Sequence, residues 1–397
     1  MRGFIPYMNL FPKGTNEIFA RTLMSAPLRH AVLAISSVRV DAALNRPLTR
    51  ALIHKQDALK YLQQGLSAKQ VDEDIAIAIF LMLFMDTFAG KDVAQAHLRG
   101  LSLVLKELNV DSSTTSPLYW DKVSPIVLLI WRIAFRLDAL VATLQDTSPI
   151  FPPFPFEYNL LQRDWALRLA KDRRSADWGV ASFAIDTMFQ RANYLRWFAH
   201  VHGTDEYLYD AISRARFEAF IREKIDALSK EHAAWLEQPA IAMAFQLEDM
   251  SQETELPSNA PQFLDYPPRI IHDRKFNLIL NEWRGQYLFF QLVLIPISMR
   301  RHSRTAIHHA IEICRTHAAI DLEPSSRDWV GEFMSLLTAG HAFIGGTKFQ
   351  KEFDWVYREI NRAAGLNNPL LSKFRYFVDK VRGYTYVAPM WMEFDED

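Results

Sequence analysis

The sequence predicts an all-α protein: one large domain of stacked helical hairpins, residues 1–397, around a central apolar core or pocket. Three observations carry the prediction. Apolar residues recur at three- and four-residue spacing along almost the whole chain, and no stretch alternates apolar with polar for more than a few positions. Only 14 glycines stand among 397 residues, few for the turns of a sheet-rich or nucleotide-binding fold. Polar, proline-containing breaks fall near 146–159 and 250–268, and the apolar pattern resumes after each, so both read as loops inside one domain.

In chain order, Pro27 stands at the first turn of the opening helix, where its missing N–H is not needed. Leu28, Val32, Ile35, Val38 and Ala42 mark that helix's apolar face. The same spacing predicts helices over about 48–66, 71–89, 91–109 and 119–145. SPIFPPFPFEY, Ser148 to Tyr158, holds four prolines and interrupts the pattern. Helices resume over about 160–172, 178–201, 205–229 and 231–249. SQETELPSNAPQFLDYPP, Ser251 to Pro268, is the second loop. Runs over about 270–299, 303–320, 326–343, 347–363 and 368–382 complete the chain.

Composition excludes several function classes. With 45 basic against 46 acidic residues, no global field attracts nucleic acid or an anionic membrane. The single cysteine, Cys314, allows no intramolecular disulfide and no multi-cysteine metal cluster. A reducing intracellular setting, nuclear or cytoplasmic, is the expectation. The opening MRGFIPYMNLFPKGT is too short in its apolar run and too interrupted by proline for a signal peptide. Ile75 to Met85, the longest apolar run, cannot span a bilayer, so a soluble protein with no membrane partner is expected.

Motifs point away from familiar chemistry. Gly340-x-x-x-x-Gly345-Gly346-Thr347 resembles a phosphate loop, but Gly346 occupies the lysine position, and the preceding DWVGEFMSLLTAGHAF is helical, not a strand. It reads as a helix ending at Gly345-Gly346, with Thr347 capping the next. His308, His309, Glu312, Cys314 and His317 share one helix without a second ligand pair of metal-binding spacing, and a solvated face is the expectation for them. Cys314 is expected to be a small buried residue. No metal and no cofactor is expected. The basic clusters Lys171–Arg174 and Arg300–Arg304 are short and lack interleaved aromatics, so they read as surface charge near helix C-termini.

Two constellations stand out. Arg132 and Arg136 lie one turn apart on the otherwise apolar IVLLIWRIAFRLDALVA, where buried guanidinium groups need a carboxylate, such as Asp86 or Asp138, or an anionic ligand. NEWRGQYLFFQ, from Asn281, places Glu282, Trp283, Arg284 and Tyr287 within two turns, a pattern suited to core packing or to an apolar pocket wall with polar anchors.

The ordered segments resemble a family. APLRHAVLAISSVRVDAAL (Ala26–Leu44), DALKYLQQGL (Asp57–Leu66), IAIAIFLMLFMDTFAG with AQAHLRGLSLVLKEL (Ile75–Gly90, Ala94–Leu108) and WRIAFRLDALVATL (Trp131–Leu144) are similar to successive helices of the regulatory domain of fungal zinc-cluster transcription factors. FNLILNEWRGQYLFFQLVL and WVGEFMSLLTAGHAFIGGTKFQKEFDWVYREI (Trp329–Ile360) resemble its later helices, so the likeness runs over about 20–380. The six-cysteine DNA-binding cluster of such factors has no counterpart in this sequence, so no direct nucleic-acid binding is expected: the chain is either an excised regulatory domain or a stand-alone protein.

The resemblance implies a domain that binds an apolar small molecule or a protein partner, which includes a second copy of the chain. The resemblance carries over no ligand residue; from the residues themselves the pocket is assigned to Arg132, Arg136, Trp283, Tyr287, His341 and Trp355, and catalytic residues are not assigned. The alternative is a stand-alone enzyme of fungal secondary metabolism. Such an enzyme would use the same pocket for a cofactor-free cyclisation or cycloaddition of a polyene or terpenoid, chemistry that needs shape and a few hydrogen-bond donors.

Overall fold

Residues 15–44, 46–86, 91–108, 123–145, 147–151, 173–202, 210–239, 241–244, 262–267, 274–293, 304–320, 327–343 and 347–365 are described by the computed structural model. They are helical apart from short connections and one isolated bridge, Phe263 to Tyr266. The all-α expectation holds. No described helix is long and apolar enough to cross a membrane. By internal packing the chain divides into two units, residues 1–172 and 173–397.

The first unit contains α1 (Thr15–Met24), α2 (Ala26–Ala43), α3 (Thr49–Ser67), α4 (Glu73–Asp86), α5 (Lys91–Glu107) and α6 (Pro125–Gln145). α2 and α3 pair as a hairpin, while α4 packs on α2, α3, α5 and α6. The sequence explains why α4 is central. Every side chain from Ile75 to Leu83 is apolar and buried, so the helix has no wet face and must be surrounded.

Asp72 starts α4 by accepting the Ile75 N–H at 2.9 Å. Ser124 likewise accepts from Ile126 at 3.2 Å, and Pro125 opens α6 where it lacks no needed donor. α3 ends in a Schellman turn: Gln70 N–H donates to Gly65 C=O and Lys69 N–H to Leu66 C=O, with Lys69 in the left-handed region at φ 54°.

α1 was not foreseen. It buries Ile18 and is clamped by Arg21, whose two guanidinium nitrogens reach Glu73 at 2.8 Å and Asp74 at 2.9 Å in the first turn of α4. That clamp joins residues more than fifty positions apart and leaves no local periodicity to read.

The second unit contains α7 (Arg173–His202), α8 (Ala211–Ala234), α9 (Arg274–Leu288), α10 (Arg304–Ile320), α11 (Arg327–Ala342) and α12 (Gln350–Gly365). α9 is its hub and packs on α7, α8, α10 and α11. Gly285 permits a close crossing: a Cβ there would lie 2.9 Å from the Ser335 Cα of α11. The break expected near residue 230 is displaced. α8 runs unbroken to Ala234 from its Asp210 cap and yields to a 3-10 turn, Trp235–Glu237, just before Pro239.

Other expectations shift as well. α11 ends at Ala342, earlier than expected, and Thr347 opens a 3-10 turn, Thr347–Phe349, instead of capping α12. Gly345 and Gly346, the runs near 160–172 and 368–382, and most of both proline-rich loops lie outside the described residues. Arg173, Arg174 and Arg304 open the described parts of α7 and α10, and the segments before them, where helix C-termini were expected, lie outside the described residues.

Candidate functional site

The aromatic run of α9 places Trp283 and Tyr287 one turn apart, and two histidines from other helices close on them. His232, near the end of α8, stacks flat on Trp283 with ring centroids 4.4 Å apart and 11° between planes. The pair is locked in both directions. Trp283 Nε1–H donates to the His232 carbonyl at 2.9 Å, and His232 Nε2 meets the Trp283 carbonyl at 2.8 Å. A carbonyl only accepts, so Nε2 carries the proton and the tautomer is fixed.

His309 of α10 packs edge-on against Tyr287 at 4.8 Å and Trp283 at 5.5 Å. Burial pulls the His232 imidazole down from the usual histidine range to about 4, against a smaller upward pull from the Trp283 carbonyl. Burial does the same to His309, also to about 4, helped by the nearby Arg284 charge. Both are neutral at physiological pH, so the cluster presents apolar rings with uncharged imidazole nitrogens. His309 Nδ1 is buried without a hydrogen-bond partner.

Beside this cluster runs a buried charge network. Asn281 Nδ2 donates to Glu332 Oε2 at 2.9 Å, and its Oδ1 accepts from Arg284 at 3.3 Å. Arg284 reaches Glu312 at 3.7 Å, and Glu312 also accepts from Arg315 at 2.5 Å. Arg315 in turn donates to the Pro267 carbonyl at 2.8 Å. Glu312 and Glu332 are each 1% exposed, an arrangement that holds α9, α10 and α11 in one register.

This overturns the solvated face expected for α10. Glu312, Cys314 and His317 are buried because α10 packs between neighbours on more than one side; His308 alone among those five is exposed. Cys314 is fully buried, as expected, and burial pushes its thiol well above the ordinary range.

The other assigned residues stand on other helices. Trp355 on α12 packs edge-on against Phe263 at 4.7 Å and near His317 at 6.3 Å. His317 is lowered to about 3 by burial, with Arg362 adding to it. His341 is buried in the last turn of α11. Arg132 and Arg136 are half-buried on α6, in the first unit. Asp138, one of their two suggested partners, is 1% exposed and accepts the backbone N–H groups of Ile150 and Phe151 at 2.9–3.0 Å, which anchors the start of the proline-rich loop. The Asp86 side chain lies outside the described ones.

Of the six, Trp283 and Tyr287 meet the same two histidines. Their partners His232 and His309 were missed as site residues because nothing local marks them. His309 stands 26 positions beyond Trp283 on another helix, and the aromatic run of α9 gives no sign of it.

Residues 10–175 match the family model of the fungal specific transcription factor domain. The match takes in α1 to α6, the first unit, and stops within the first turn of α7. Within the matched stretch fall the Ala26–Leu44, Asp57–Leu66 and Trp131–Leu144 segments whose motifs carried the resemblance. Neither a curated protein nor a solved structure matches the chain. The match supports a regulatory role of the transcription-factor type.

Proposed function

We propose that the chain acts as a transcription-factor-type regulatory domain that responds to an apolar small molecule received at the Trp283–Tyr287 face of α9. The match of residues 10–175 carries the regulatory half of this reading. The ligand half is supported by the chemistry of the second unit. Stacked rings offer an apolar surface, and the neutral His309 Nδ1 offers a hydrogen bond that the protein leaves unused. A ligand with an apolar body and one hydroxyl or carbonyl group fits that pairing. Bound there, it would tighten the α8–α9–α10 contacts and favour one packing of the second unit over another.

Deletion of the gene, with transcripts and metabolites measured together, tests the reading. Collapsed transcripts of a defined gene set are expected. Accumulation of one unreacted intermediate with unchanged transcripts would overturn it in favour of a stand-alone cyclising enzyme. A domain that acts by pairing with a protein would lower transcripts but would be indifferent to Tyr287→Ala and His309→Ala, which the ligand reading expects to abolish the response.

A further inference from the structure

In the first unit, α2 and α3 bring three donors to one point. His30 comes from α2, while His54 and Asp57, three apart on one face, come from α3. His30 Nδ1 lies 3.3 Å from His54 Nδ1 and 3.4 Å from Asp57 Oδ2, and donor atoms of all three residues fall within 4.8 Å of one another. We propose that His30, His54 and Asp57 form a binding site for a divalent transition-metal ion, zinc first, that clips α2 to α3.

The distances favour an ion over hydrogen bonds. A good N–H···O or N–H···N bond spans about 2.7–3.2 Å, and both contacts exceed that. Nor do they satisfy each other. His30 Nδ1 has either one proton or one lone pair, so it cannot donate to Asp57 and accept from His54 at the same time. A tetrahedral ion with bonds of about 2.0–2.1 Å to nitrogen holds its donors about 3.3–3.4 Å apart. The His30–His54 and His30–Asp57 edges, 3.3 and 3.4 Å, fit that figure.

Two imidazoles and one carboxylate select zinc and its neighbours over magnesium or calcium, which prefer all-oxygen sites. Three protein ligands leave a fourth position for water. The side chains are 20% exposed at His30 and 42% at Asp57, so an ion can enter from solvent. The Tyr61 ring, 5.4 Å from that of His30, packs against the site from one turn beyond Asp57.

The full chain, stripped with EDTA, is titrated with Zn²⁺ by calorimetry and with Co²⁺ by visible absorption. One ion per chain is expected, with Kd on the order of micromolar or below. The cobalt form should absorb in the visible as a four-coordinate nitrogen–oxygen complex, and zinc should raise Tm. His54→Ala and Asp57→Asn should each weaken zinc binding by at least about 100-fold. Asp57→Asn keeps the size of a half-exposed residue, so circular dichroism and the metal-free melt should not change. His308→Ala, an exposed histidine elsewhere, should leave binding as it was. Undiminished zinc affinity in both site variants, or no stoichiometric binding by the wild-type chain below about millimolar ion, would overturn the proposal.

Discussion

In the first unit α4 buries Ile75 to Leu83 without a single hydrogen-bonding side chain, whereas in the second α9 takes Asn277, Asn281, Arg284 and Gln286 into its core. Both helices are hubs, and each packs on four others. α4 is held by burial, which is non-directional and tolerates exchange of one apolar residue for another of similar volume. α9 is held by pairings that fail when either partner is removed, because each buried polar atom it brings needs a named acceptor or donor. The difference predicts that the two hubs break in different ways.

The largest effects separate them most sharply. Glu312→Ala removes a buried carboxylate that pairs with the Arg284 guanidinium, 9% exposed, and a loss of about 3–5 kcal/mol in urea unfolding is expected. Phe80→Ala opens a hole in the fully buried face of α4 and costs a similar 3–5 kcal/mol or so. Repair tells them apart. Phe80→Leu should recover much of the loss because volume is what matters there, while Glu312→Leu, which keeps volume but supplies no charge, should recover little. Equal recovery at both sites would erase the contrast between the hubs.

A pH series sharpens it next. Unfolded histidines titrate near 6.5, but His232 stays unprotonated until about 4, because its ring is buried against Trp283. The native state therefore binds fewer protons than the unfolded chain between those values. Its contribution is present above pH 6.5 and is lost as pH falls toward 4, at roughly 3 kcal/mol in full. His309 and His317, lowered to about 4 and about 3 by burial, act in the same direction. His232→Gln should flatten the acid limb of the stability profile; an unchanged slope would mean that His232 is accessible to water in the native state.

These contrasts also mark what the sequence discloses. α4 was legible because its apolar run needs no partner to be understood; α2, α3 and α5 were legible from their apolar spacing to within a few residues of their ends, while α6, expected from about 119, starts at Pro125. α10 was misread: His308, His309, Glu312 and His317 look like a solvated face until α9 and α11 are placed against them. Arg284 was visible, but its partner Glu312 lies on another helix, 28 positions away. The aromatic spacing of α9 did expose Trp283 and Tyr287, whereas His232 and His309 became site residues only through folding.

Glycine exchanges probe the crossings themselves. Gly285→Ala places a methyl 2.9 Å from the Ser335 backbone and 3.0 Å from its hydroxyl. The overlap should cost about 1–3 kcal/mol, partly offset by alanine's better helix propensity. Gly100→Ala on α5 meets nothing within 4 Å, and the same propensity should raise stability by up to about 1 kcal/mol. Opposite signs in thermal melts are the expected outcome. A stabilising Gly285→Ala would mean that α9 and α11 stand farther apart than the Gly285–Ser335 approach.

The smallest predicted change concerns the end of α3. Lys69 holds the left-handed position of a Schellman turn that glycine usually fills, and its φ of 54° sets its Cβ against the neighbouring backbone. Lys69→Gly relieves that strain but gives the unfolded chain more freedom, so the two effects oppose each other. Relief should win by roughly 0.5 kcal/mol, since about 1 kcal/mol separates the two residues in this backbone region. Differential scanning calorimetry would register a rise in Tm of a degree or two. A fall instead would mean that the lysine side chain contributes at the α3–α4 turn through packing, and that the turn is held by its side chain as well as by the hydrogen bonds from Lys69 and Gln70.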